Sequence, residues 1–270
     1  MSDNLMRSYN VKIQVEQTGR EGAGRIGFID EMRGLLIILF VFYHLCYDLS
    51  EIYDAIDLEW FRSGWMNALQ FCISLGFIVL SGISSNLSNR PYIRGLRVCA
   101  CAALITLVTF FLFPSQIIKF GILHFLGVSM LLYAVFKEAL SYVRPLTGCF
   151  AAFLLAAATW NIPMGYPMGY IGISPLSFPL PASVYTLSWL FPLGVVPPAF
   201  YSADYFPVFP YIFVFLFGVF IFKFIDTLPE YLYKEHLRPL AVLGRHSLLI
   251  YMLHQPILMG VLYLIFLFVK

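Results

Sequence analysis

Of the 270 residues, 60% are apolar and 18% aromatic, while only 12% are charged; soluble domains run near 45–50% apolar and about 25% charged. Too little polar surface remains to cover a water-soluble globule, which excludes an ordinary soluble enzyme, a disordered chain and a secreted disulfide scaffold. The net charge is only +2, so nothing in the composition calls for a nucleic-acid partner.

Long unbroken apolar runs replace the roughly ten-residue alternating segments of a transmembrane barrel. They predict an all-α polytopic membrane bundle, because helices satisfy their own backbone groups in lipid. At roughly 20 apolar residues per crossing, seven spans are expected over 34–49, 65–87, 98–113, 120–136, 145–162, 205–224 and 247–269. The first and third are short and are expected to extend into their polar flanks. Residues 1–24 read as a polar cytoplasmic tail of mixed charge ahead of one domain over 25–270. The first apolar run starts late and lacks a small-residue cleavage site, so no cleavable signal peptide is expected. The cysteines fall inside apolar runs without zinc spacing, and neither a disulfide nor a metal is assigned.

Lysines and arginines set the orientation. Arg7, Lys12, Arg20, Arg25 and Arg33 share one side with Arg90, Arg94, Arg97, Lys137, Arg144, Lys223, Lys234, Arg238 and Arg245. Only Arg62, Lys119 and Lys270 fall on the other. This asymmetry predicts a cytoplasmic N-terminus and an external C-terminus, in what is expected to be a bacterial plasma membrane. The external stretch 161–204 holds eight prolines and no Lys or Arg. Proline breaks helices, yet the stretch is rich in Tyr, Leu, Trp and Phe. An apolar cap with a short interfacial helix near Trp189 is expected, serving either as a connector or as a lid over substrate.

Ionisable groups at membrane depth are costly and point to function. His44 lies ten residues past Gly34, about 15 Å along a helix, with Asp48 at i+4 on the same face. A carboxylate one turn away can fix the imidazole tautomer and raise its basicity. His124 enters from the outer side, about 8 Å past Lys119. His254 lies about 16 Å beyond Leu243, again near the centre, and Pro256 frees a carbonyl on its helix. One buried histidine is most often a packing residue; three in separate spans, with Asp48 and the external-edge Asp204, suggest convergence on one cavity. At the cytoplasmic start of the last span, Arg245 and Ser247 read as either an interfacial anchor or a phosphate-binding helix N-terminus.

Several segments then carry a resemblance. Asp30-Glu31-Met32-Arg33-Gly34, with His44 ten residues on, is similar to the first span of transmembrane acyltransferases. Gly244-x-x-Ser247-Leu248-x-Ile250-Tyr251-x-x-His254 resembles the last conserved span of the heparan-α-glucosaminide N-acetyltransferase catalytic domain family. Leu80-Ser81-Gly82-Ile83-Ser84, Gly121-Ile122-Leu123-His124 and Asp204-Tyr205-Phe206-Pro207 look like its small bacterial members, so the likeness spans roughly 25–265. It implies membrane-embedded transfer of an acyl group, usually acetyl, from cytoplasmic acyl-CoA to an extracytoplasmic hydroxyl or amine, such as that of a glycan. Acyl-CoA would be a co-substrate and not a resident cofactor. His44 would match the histidine proposed as catalytic in the O-acyltransferase branch.

Coenzyme A is polyanionic, so its phosphates are expected to stay at the basic inner face, at Arg33, Arg90, Arg94, Arg97, Arg245 and Ser247, while the pantetheine arm carries the thioester inward. Attack on the thioester calls for a base near neutrality, which histidine supplies. His44 oriented by Asp48 is the expected base; His254 can take that part or donate to the oxyanion, and His124 joins the catalytic set. Asp204, Tyr205 and Gln255 are the expected acceptor contacts. A transporter or lipid flippase also places polar groups at the midplane, and a haem carrier can use His44 and His254 as axial ligands. The bilayer is the evident partner, and assembly into a homodimer stays open.

Overall fold

A computed structural model of the chain describes residues 26–165, 167–225 and 230–269; the polar tail over 1–24 and Lys270 lie outside them. Helix α1 runs over Gly27–Tyr47 and continues as a π turn to Ile52. There follow α2 (Gly64–Asn86), α3 (Pro91–Leu112), α4 (Ile122–Ser141), α5 (Pro145–Thr159), α6 (Val208–Ile225), α7 (Arg238–Arg245) and α8 (Ser247–Val269). Among the described residues, six helices are long and apolar enough to cross a membrane, and Val208–Phe224 is a shorter apolar helix. The first and third spans do extend into their polar flanks, reaching back to Gly27 and Pro91.

The polar flank of α1 enters the helix because its charges find partners. Asp30 sits in the first turn, where a carboxylate favours the helix dipole, and accepts from Arg33 at 3.3 Å. Glu31 is buried, and its Oε1 accepts the backbone N–H groups of His236 and, at 2.7 Å, of Leu237. One side chain thus caps the N-terminus of α7, a short polar helix that no apolar run marks. The two helices approach at glycine: a side chain on Gly34 would strike the Leu240 carbonyl, and one on Gly244 that of Asp30.

Small residues bring the other helices together as membrane packing favours. Gly82 of α2 lies against the Phe215 carbonyl of α6, and Gly218 of α6 against that of Val79. Asn86 ties three helices, donating to the Val219 carbonyl at 3.2 Å and accepting from Tyr133 Oη at 3.2 Å. Lys223 donates to the Leu140 carbonyl at 2.8 Å, a cation at the C-terminal end of α4. The main core, with Phe125, Phe215, Ile78, Met130 and Val219 buried, lies among α2, α3, α4 and α6.

The stretch 161–204 carries 3₁₀ turns at Ala182–Thr186 and Ser188–Leu193, the second holding Trp189. It also contains an antiparallel hairpin, β1 (Tyr170–Ile173) and β2 (Leu176–Pro179), that the proline-rich sequence did not lead us to expect.

Candidate active site

On α1, Phe40, His44 and Asp48 are spaced i, i+4, i+8 and share one face. On α8, Tyr251, His254 and Gln255 do the same at i, i+3, i+4. The two faces meet. Phe40 stacks on Tyr251 with ring centroids 4.8 Å apart, and also touches His44 (4.5 Å) and His254 (4.7 Å). The His44 and His254 rings lie 4.8 Å apart at 62°, each within about 7 Å of the middle of its own span along the helix axis. One turn further along α1, Gln255 Nε2 donates to Asp48 Oδ1 at 2.7 Å.

The hydrogen bonds fix the state of His254. Its Nδ1 lies 2.6 Å from the Tyr251 carbonyl, and a carbonyl only accepts, so Nδ1 carries a proton and the neutral ring has its free lone pair at Nε2. Among the described residues, that Nε2 is buried without a hydrogen-bond partner, as are Asp48 Oδ2 and Gln255 Oε1. Three buried acceptors on one helix pair face no donor.

The expected pairing of Asp48 with His44 is replaced. The α-helix changes to a π turn at Asp48, and the carboxylate takes the amide of Gln255 across the interface, while His44 faces His254. The expected place of His124 also shifts. Its Nδ1 accepts from the Gly121 N–H at 3.2 Å, leaving the proton on Nε2 for Thr106 Oγ1 at 3.0 Å; Thr106 in turn donates to the Ile118 carbonyl at 2.7 Å. Both ring nitrogens are committed, and its partners are the start of α4 and the end of α3, not the histidine pair.

Asp204 lies just ahead of α6. Its Oδ2 accepts from the Ile122 N–H at 3.0 Å, at the first turn of α4, and contacts Tyr251 Oη at 3.5 Å. Any side chain on Gly121 would collide with this carboxylate. Burial pushes the Asp204 pKa up to about 6, and the two donors pull against that rise. Tyr205 donates to the Phe191 carbonyl at 2.6 Å, pinning the cap, and burial raises its phenol pKa.

At the end of the bundle where α1 begins, Arg33 binds Asp30 and Ser84 Oγ, and Arg94 donates to the Ser84 carbonyl at 3.1 Å. Asp30, Ser84, Ser88 and Arg94 line a cavity there with Ile26, Ile29 and Leu87. Arg245 is paired with Glu235. Ser247 does not cap α8; it is the first helical residue, and the His246 carbonyl accepts the Ile250 N–H at 3.0 Å. Sequence reading passed over Phe40 and Glu31. Phe40 was detectable as the i−4 neighbour of His44, whereas nothing local marks Glu31 as a cap for a helix two hundred residues away.

Comparison with curated proteins and with solved structures returns no match. A family model, heparan-alpha-glucosaminide N-acetyltransferase, catalytic, matches residues 25–256. That stretch begins just before α1 and closes just past Gln255, so it takes in Phe40, His44, Asp48, Asp204, Tyr251 and His254. The chain therefore belongs to the heparan-alpha-glucosaminide N-acetyltransferase catalytic family, as an integral membrane protein.

Proposed function

We propose that this chain moves an acetyl group from cytoplasmic acetyl-CoA to a hydroxyl or amine of an extracytoplasmic acceptor, a glycan being the class that fits best. The observation that carries this reading is the His44–His254 pair at mid-span, with the unpartnered His254 Nε2 beside two further buried acceptor atoms. Unpaired buried acceptors are expensive, and a substrate rich in O–H or N–H donors removes that cost.

In the proposed step, the acceptor oxygen or nitrogen attacks the thioester carbon as His254 Nε2 takes its proton. The tetrahedral intermediate collapses, the C–S bond breaks, and the sulfur leaves with the electron pair. The proton held by His254 then passes to the departing thiolate, which restores the neutral ring. His44, adjacent to His254, donates to the developing oxyanion from its N–H. Asp48 and Gln255 orient the acceptor, and Asp204 holds Tyr251, whose carbonyl fixes the His254 tautomer.

Coenzyme A carries phosphates that do not cross hydrocarbon cheaply. The cavity bearing Arg94, Ser84 and Ser88, with its Asp30 carboxylate paired to Arg33, is the proposed phosphate seat, and Arg245 joins it by exchanging Glu235 for phosphate. Proteoliposomes with labelled acetyl-CoA on one face only test the scheme. Label supplied at the cytoplasmic face should reach an amino sugar or polyol on the other side. Transfer with donor and acceptor on the same face, or none with any acceptor, would overturn it.

A further inference from the structure

The stretch 161–203 contains no Asp, Glu, Lys, Arg or His. Within it, the hairpin register pairs Ile171 with Phe178 and Ile173 with Leu176. Paired residues share a face of the ribbon, and alternate residues along each strand return to it. One face is therefore entirely apolar, and it is bare: Ile171 is 42% exposed, Ile173 49%, Phe178 70% and Leu176 73%. Tyr170 and Gly172, on the other face, are partly buried, and β1 packs against α5.

Such a face is untenable in water. A short exposed ribbon with large apolar side chains and no flanking charge is a template for aggregation. Its setting supplies the alternative. Helix α5 belongs to a segment long and apolar enough to cross a membrane, and it exposes Phe150, Phe153, Leu154 and Leu155. Trp160 follows the end of α5, and Trp189, 68% exposed, lies in the same charge-free stretch. Tryptophan at that level is the usual marker of a membrane–water boundary. Lipid contact at the bare face would extend the exposed apolar surface of a spanning helix on which β1 already packs.

We propose that the β1–β2 hairpin lies in the outer leaflet, with Ile171, Ile173, Leu176 and Phe178 in the acyl-chain boundary, and that the stretch forms a lipid-seated brim and not an aqueous lid. The full chain in proteoliposomes tests this, with a phospholipid carrying a diazirine near the carbonyl end of one acyl chain and, separately, a water-soluble diazirine. Peptides are read by mass spectrometry after pepsin digestion, because the stretch offers trypsin no site. The lipid probe should label 170–179 as heavily as the α5 peptide around Phe153. Leu176→Asp with Phe178→Asp should cut labelling of 170–179 at least fivefold while α5 labelling holds, which also reports that the fold survives. Labelling of 170–179 by the water-soluble probe alone would overturn the proposal. So would protection from both probes accompanied by cross-linking to a second copy.

Discussion

Asp48 is buried with one oxygen served by Gln255 and the other by nothing described. Gln255→Leu removes that donor and leaves a buried carboxyl unpaired, an expected loss of about 1–3 kcal/mol, read as a lower thermal midpoint in detergent. His124 has both nitrogens occupied by the fold, so His124→Ala should lower stability on the same scale while acetyl transfer per folded molecule stays within about twofold. Asp204 gives a pH signature of definite sign. Its native pKa of about 6 lies above the ordinary 3.8, so the folded state binds more protons in that interval and stability falls as pH rises from about 4 to 6. Asp204→Asn should flatten that slope in a series of thermal melts, and an unchanged slope would remove the assignment. All three histidines were legible in the sequence, because an ionisable group amid apolar residues is conspicuous. Their separation into a facing pair and a third that bonds Gly121 and Thr106 was not, because depth along a helix says nothing of what lies across from it.

Helices α1 and α7 depend on two glycines where backbone meets backbone. Gly34→Val places branched carbons against the Leu240 carbonyl, and overpacking of this kind costs about 1–3 kcal/mol or more. Loss of the detergent-stable fold, or a strongly lowered midpoint in a melt, is the expected result. The long spans were readable from hydropathy alone, since the bilayer imposes their length. The extension of α1 to Gly27 was foreseen in kind; its cause, Asp30 held by Arg33 and Glu31 spent on α7, needs the tertiary contact. Helix α7 escaped because it is short, and its polar composition resembles that of a loop. The hairpin escaped because proline and glycine dominate its surroundings, and its contact with α5 is tertiary.

At the scale of the whole molecule, the charge asymmetry predicts which loops face the cytoplasm. A membrane-impermeant maleimide added to right-side-out vesicles should modify Glu59→Cys, between α1 and α2, and leave Ser141→Cys, at the end of α4, untouched until the membrane is opened. Reversed reactivity would invert the orientation and, with it, the side proposed for the acetyl donor. The architecture fits such a division: basic residues and a cavity below, the histidine pair at mid-span, and Asp204 with the charge-free brim above. Its centre is tested by rates of labelled acetyl transfer for the wild-type chain, His44→Ala and His254→Ala in proteoliposomes, at equal amounts of folded protein. Loss of the general base should cost about 10²–10⁴-fold in His254→Ala, with a substantial loss in His44→Ala as well. Full transfer rates in both variants would contradict catalysis at the histidine pair.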